Sequence, residues 1–560
     1  MSKIIVGALG GLGEKGKNMY VVEVDQDIFI LDAGIKYPSV ELLGIDTIIP
    51  DFSYLVENKE RIRGLFITHC HIEHIGAIPH LLKEIDVPIY GTSFTNALIS
   101  DLLIENDFKL DDVKLITVNN NTTLKFQSAS VSFFATTHNI PESIAIVIET
   151  KDGSIVYTGN YTFDQNVDKK YQTNFGRLNE VAKKKVLCLM TESYGATQFG
   201  NPAHHYELMH KLNGVFSNAT GRIIVSLFSS DLLRIQKVID LAISYQKKIA
   251  IIGRKTQRIV DVAVKLGYLE IPKDVLVNLR YIDEKNDNLD NNLVVLVTGD
   301  RHEPFFMLQR MCKKIDRLIH VSESDNVIIL TLPIQGTEKM SARTLDVLYR
   351  TGAKVTLFDK SKLPISHATS EEVKMMINIL KPKYVFPVIG EYRHQYYVRK
   401  IALEMGYDDE NIIMGDLGNG FVFNNKKLDG AVTDLKANEV LIDGAMAGDV
   451  NDVVLRDREL LSEDGVLLIV ANISPKTKKV LSGPEIVSKG FVHIKDMEHI
   501  ISEIKTIFDN VVSKYLVNKY INWADLKNDL KTEVNKYLYK ETKRNPITIP
   551  VILSTDLPEN

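Results

Sequence analysis

Thr68-His69-Cys70-His71-Ile72-Glu73-His74 packs three imidazoles and a carboxylate into six residues. The apolar run Gly64–Thr68 that enters it reads as a strand, and the apolar-periodic run Ile75–Ile85 that leaves it reads as a helix. In extended chain the side chains alternate with period two, so His69 and His71 face the same way. Glu73 and His74 then fall at the loop-to-helix turn. Such a donor set can reach one borderline-soft divalent ion, or two adjacent ones. Further ligands must arrive from other strand ends, and two positions offer them: His138 follows the run Val131–Thr137, and Asn160 follows Ser154–Gly159.

Outward from this centre, the first 160 residues alternate β-rich runs with glycine turns (KIIVGAL, MYVVEV, DIFILDAG, VSFFATTH, AIVIET, SIVYTGN), with few and short helical patterns. That rhythm predicts a sheet-rich layered α/β structure. From about residue 205 clear β–α alternation takes over and predicts a compact parallel α/β unit ending near 360. Short strands return over 365–450 (YVFPVIG, IIMGD, GFVFN), followed by a small-residue, acidic connector, DGAMAGDVND. The tail reads as a strand (VLLIVANI), two helices (HIISEIKTIFDNVVSKYL and WADLKNDLKTEVNKYLYKETK) and a closing strand, ITIPVIL.

The 560 residues suffice for three to four domains at about 150 each. Lys and Arg number 67 against 72 Asp and Glu, a net charge of −5, so any nucleic-acid contact must rest on a local surface. Nine basic and six acidic residues over Ile501–Asn545 make an ordinary solvated surface. Three scattered cysteines exclude a disulfide framework and point to a reducing, cytoplasmic setting. No run of 18 apolar residues predicts a membrane span.

Two other patterns carry no assignment. Gly11, Gly13 and Gly16 form G-x-G-x-x-G with Asp32 nearby, but a dinucleotide loop needs a helix N-terminus next, and NMYVVEVDQDIFILDAG alternates like strands. His204, His205 and His210 fit no metal-helix spacing. His80, His320, His493 and His499 stand alone.

His-x-His-x-acid-His after a strand, then a later histidine, then Tyr-Thr-Gly-Asn, resembles the ligand order of the metallo-β-lactamase fold. GALGGLGEKGKNMY, LDAGIKYP, SEEVKMMINILKPKYVFPVIGEYR, VVLRDRELLSEDG, SGPEIVSKGFV and LYKETKRNPITIPVI extend the resemblance along nearly the whole chain, to the bacterial ribonuclease J family. The resemblance implies an α/β fold: an αββα sandwich (1–207 and 365–448), an inserted β-CASP α/β domain (208–364) and a small α+β C-terminal oligomerisation domain with its linker (449–560). It implies RNA as substrate and up to two zinc ions. His69, His71 and His138 match the first zinc's ligands, Glu73 and His74 match positions of the second, and Asn160 matches the position that bridges both. Glu192 matches an acid supporting the site, and His367 the histidine that helps the leaving group or scissile phosphate. Leu363, Pro364, Ile365, Ser366 and His367 match the phosphate-binding run.

Three positions depart from the family pattern. Glu73 keeps a carboxylate, one methylene longer than aspartate. Asn160 stands where an aspartate bridges both metals, and a neutral amide cannot hold two cations as a carboxylate does. Ile389 stands where a histidine completes the second zinc site, and an alkyl chain ligates nothing. The phosphate-binding run also has its hydroxyl displaced, with Ile365 offering none. These departures imply one zinc or fewer and a weakened 5′-3′ exonuclease or endonuclease of RNA processing. The alternative is a catalytically inactive partner subunit of an intact J-type paralogue; in either case the chain is expected to form a homo-oligomer, or a hetero-oligomer with such a paralogue.

Overall fold

The computed structural model describes every residue except 1, 40, 201–204, 278–291, 335, 359–362, 364–365, 445, 448–451, 492–496 and 556–560. The chain divides into two compact units, Met1–Tyr37 with Thr47–Val440, and Pro38–Asp46 with Leu441–Asn560.

In the first unit the early apolar runs pair as expected. An eight-stranded sheet is ordered Lys427–Asp434, Asn419–Asn424, Lys3–Gly10, Met19–Val24, Asp27–Leu31, Ile62–Phe66, Ile89–Gly91 and Leu115–Thr117. A six-stranded sheet is ordered Tyr384–Val388, Val186–Glu192, Gly153–Tyr157, Ile144–Thr150, Ser130–Ala135 and Thr123–Lys125. Val6, Tyr20, Leu31 and Phe66 of the first sheet share one core with Phe133, Ile146, Tyr157 and Phe386 of the second, so the sheets lie face to face. The second sheet's other face (Phe134, Val147, Val156, Leu189) is covered by Leu178, Met376 and Val398 from helices Phe175–Lys183, Ser370–Leu380 and Tyr392–Glu404.

The β–α alternation forms a separate parallel sheet, ordered Lys248–Ile252, Leu293–Gly299, Ile223–Phe228, Asn326–Ile329 and Lys354–Leu357. It carries apolar cores on both faces, so its strands are continuous Val/Ile/Leu runs. The second unit holds the sheet Lys479–Lys489, Val466–Ser474 and Ile547–Ser554 with helices Met497–Leu516 and Trp523–Thr542. Phe508, Leu526, Leu530 and Val534 bury the helices' apolar faces against Leu467 and Ile469. No helix among the described residues is long and apolar enough to cross a membrane.

Three readings are corrected. The first part contains a 13-residue helix, Ser93–Glu105, which was masked because two of its buried positions are polar, Thr95 and Asn96. The 365–450 part is helical as well as stranded, through Ser370–Leu380 and Tyr392–Glu404. IIMGD is not a strand: Ile412 makes one isolated bridge to Val385, and Gly415 with the turn at Asp416 ends the pairing. After the glycine loop the chain enters strand Met19–Val24, with no helix to hold a pyrophosphate. The connector around residue 448 falls partly outside the described residues, as do His204 and His493.

Candidate metal centre

Strand Ile62–Phe66 delivers the histidine loop, and a one-turn helix, Ile72–Ile75, follows it. His71 is still extended (φ −66°, ψ 145°), so His69 and His71 turn to the same side. His138 arrives from the end of Ser130–Ala135. His69 Nε2 lies 3.2 Å from His71 Nδ1, and His138 Nε2 lies 3.3 Å from the same atom. Two nitrogens each 2.0–2.1 Å from a tetrahedral zinc stand about 3.3 Å apart, so this spacing fits one such ion. These are the only three potential ligand residues so gathered among the described residues, all within 4.8 Å.

The far sides of two rings are held. His69 Nδ1 is 2.9 Å from Thr68 Oγ1, which donates to Asp32 Oδ2 at 2.9 Å. His71 Nε2 faces the Ser230 carbonyl oxygen at 3.4 Å, a partner that only an N–H satisfies, which leaves Nδ1 free to ligate. Burial and the neighbouring imidazoles hold His69 and His138 well below the usual histidine range; burial also lowers His71, against the opposing pull of Glu73. Neutral imidazoles are what a cation needs. Asn160 Oδ1 is buried with no hydrogen-bond partner among the described residues, at a cost of about 1–3 kcal/mol that a bound cation or its water would offset.

The second donor set does not fit an ion in the same way. His74 is fully buried, its Nδ1 2.7 Å from Asp32 Oδ2. Its Nε2, the atom that would ligate, faces the Asn18 amide nitrogen at 3.2 Å and the Asn160 amide nitrogen at 3.5 Å. Glu73 is 37% exposed, with Oε1 3.9 Å from His71 Nδ1, outside the three-histidine set. Ile389 sits 6% exposed in the inter-sheet core, its N–H donating to Tyr20 Oη at 3.0 Å.

Glu192 is fully buried and binds three groups. Oε1 accepts from the Tyr161 N–H (2.7 Å) and the Ala368 N–H (3.0 Å), and Oε2 is 2.8 Å from His367 Nδ1. It therefore ties the Asn160 loop to the His367 loop. His367 is 24% exposed, its ring 6.3 Å from that of His138. The Leu363 side chain is 1% exposed and packs within the core of the inserted domain. Pro364 and Ile365 lie outside the described residues, and Ser366 is half-buried. His394, five residues beyond Ile389, caps a helix: its Nδ1 accepts from the Glu391 N–H at 3.1 Å.

Sequence reasoning missed Asp32 and Asn18. Asp32 is fully buried, accepts from the Thr68 N–H (2.8 Å) and Tyr157 Oη (2.8 Å), and orients His74 directly and His69 through Thr68. The available signal was an acid closing the apolar run Ile28–Leu31, a position that burial permits only when several donors meet it.

Four family models match in series: the metallo-β-lactamase superfamily over residues 12–187, the ribonuclease J β-CASP domain over 220–348, a Zn-dependent metallo-hydrolase RNA specificity domain over 366–414, and the ribonuclease J C-terminal domain over 453–555. The chain is 37% identical over 544 residues to Ribonuclease J 2 of Staphylococcus epidermidis, covering 97% of each. It is 37% identical over 546 residues to Ribonuclease J 2 of Staphylococcus aureus, again covering 97% of each. The chain belongs to the ribonuclease J family. A crystal structure of a protein of unknown function from Enterococcus faecalis V583 aligns with 75% of this ribonuclease J chain and all of its own, at TM-score 0.53 and 15% identity, a likeness of fold. The two facing sheets are thus the metallo-β-lactamase sandwich, and the parallel insertion is the β-CASP domain.

Proposed function

We propose that this ribonuclease J chain hydrolyses RNA phosphodiester bonds with one zinc held by His69, His71 and His138, more slowly than a two-metal site would allow. The observation that carries the reading is the trio of neutral, oriented imidazoles at tetrahedral spacing. Zinc bound there would supply Lewis acidity for water and phosphoryl oxygen. Glu192 fixes His367 through Nδ1, which leaves Nε2 to pass a proton to the departing oxygen or to hold the phosphate. The match to an RNA specificity domain over 366–414 supports RNA as the substrate.

The test is metal analysis of the full-length protein beside hydrolysis of 5′-monophosphorylated RNA with added zinc or manganese. About one zinc per chain is expected, with slow cleavage that His71→Ala abolishes together with the zinc. Two equivalents surviving dialysis against a mild chelator would overturn the single-metal reading. The amide donors capping His74 Nε2, and the alkyl chain at Ile389, favour a second reading if no RNA is cleaved: a partner subunit that binds RNA without cutting it.

A further inference from the structure

Beside Ile389, where the second donor set fails, the fold gathers positive and hydrogen-bonding groups that the metal site does not use. A Cβ built on Gly390 would lie 2.5 Å from Ser193 Oγ, 3.2 Å from His394 Cβ and 3.3 Å from the Tyr194 nitrogen. Tyr194 and His394 are therefore packed on the 389–390 turn itself. Their rings meet at 5.1 Å, and the Tyr194 ring meets that of His367 edge-on at 4.8 Å. Lys15, from the glycine loop after the first strand, completes the group. Its Nζ donates to Tyr194 Oη at 2.8 Å and stands 4.2 Å from the ring centroid.

Lys15 is half-buried and makes no ion pair among the described residues. A partly desolvated ammonium in that state is a strong acceptor-seeking group. Tyr194 Oη already accepts the ammonium's hydrogen bond, so its own O–H is left to donate outward. Lys15, Tyr194 and His367 thus line one partly exposed rim, with the His367 ring lying between those of Tyr194 and His138.

We propose that Lys15 and Tyr194 form an oxyanion subsite for an RNA phosphate, supplying from the protein part of the charge and donor capacity that a second cation brings to a two-metal site. The subsite rests on the reading of the chain as a protein that acts on RNA. One fixed positive charge replaces two, which agrees with a site that still binds phosphate but stabilises developing negative charge less.

The experiment uses the full-length protein with its bound metal and a fluorescent, 5′-phosphorylated, phosphorothioate-linked oligoribonucleotide, with affinity read by anisotropy across a salt series. Lys15→Met and Tyr194→Phe are each expected to weaken binding about ten-fold, the loss of one phosphate contact, with Lys15→Arg restoring most of it. Lys15→Met should also lower the salt slope by about 0.7, one counterion on a single strand, and Tyr194→Phe should leave the slope unchanged. Zinc per chain should stay at the parent value in all three. Unchanged affinity and slope overturn the subsite, and so does zinc lost in step with affinity, because both variants would then act through the fold. Cleavage of unmodified RNA separates this from the hydrolase reading. A parent that binds the probe without cutting RNA, with both variants still weakened, upholds the subsite and overturns hydrolysis. Variants that bind and cut like a cutting parent overturn the subsite alone.

Discussion

In the single-metal reading proposed above, Asn160 and Ile389 are the two side chains that separate one metal from two. Asn160 turns an amide nitrogen toward His74 Nε2 at 3.5 Å, where a carboxylate would leave Asn18, at 3.2 Å, as the one amide donor still facing that lone pair. Ile389 is a β-branched residue at φ +52°, a conformation that costs such residues about 1–3 kcal/mol and that histidine adopts more readily. The triple change Glu73→Asp, Asn160→Asp and Ile389→His therefore returns two donors and eases the backbone at 389. It is expected to bind a second zinc by metal analysis and to hydrolyse RNA at least about ten-fold faster than the parent; each single change should do little, because ligands act as a unit. A triple variant that binds two zincs yet cleaves no faster would move the limit to the run around Ser366.

The histidine loop and the strands beneath it show how closely elements must meet to hold the site. Gly34 lies directly under Glu73: a Cβ at this position would stand 1.6 Å from the Glu73 carbonyl oxygen and 2.0 Å from its carbon. The loop is also stitched down by the Ala33 N–H to the His74 carbonyl at 2.8 Å and the Asn18 N–H to that of Glu73 at 3.1 Å. Backbone meets backbone here, so nothing can rotate away. Gly34→Ala is expected to cost about 3 kcal/mol or more, seen as a lowered thermal midpoint, and to release the zinc. A variant with parental midpoint and zinc content would refute this. The glycine was visible in LDAGIKYP, but its reason was not, since the carbonyl that crowds it belongs to the histidine loop, far along the chain beyond strand Ile62–Phe66. Helix Ser93–Glu105 was hidden for a related cause: Asn96 is buried because its Nδ2 donates to the Gly91 carbonyl at 3.1 Å, a tertiary contact that broke the apolar pattern.

At the scale of the whole molecule, residues 453–555 match the ribonuclease J C-terminal domain, while positions 160 and 389 carry an amide and an alkyl chain. Among the described residues both edges of the C-terminal unit's three-stranded sheet are open, and Ile549 (43%) and Leu553 (52%) on one edge strand, with Val517 (87%) and Tyr520 (81%) between the helices, are exposed. Open edges and exposed apolar groups favour association. A chain ending at Asp449 is therefore expected to show a smaller mass by light scattering than the full-length protein, alone or mixed with an intact J-type paralogue. An unchanged mass would exclude this unit as the assembly module.

The sequence by itself determined what short-range periodicity encodes. Strands with every second residue turned inward, a parallel unit read from β–α alternation, and His69 and His71 on one side of an extended loop all follow from spacing along the chain. Its chemistry also showed that Asn160 and Ile389 cannot serve as a carboxylate and an imidazole do. Tertiary structure alone decided which distant residues meet. The sheet pairing brought His138 Nε2 to 3.3 Å from His71 Nδ1, and placed Asp32 where it orients two histidines. It buried Leu363 in a core and set Lys15 on Tyr194 at 2.8 Å. Those outcomes depend on strand order and loop closure, and contacts between residues far apart in the chain leave no period in the sequence from which to read them.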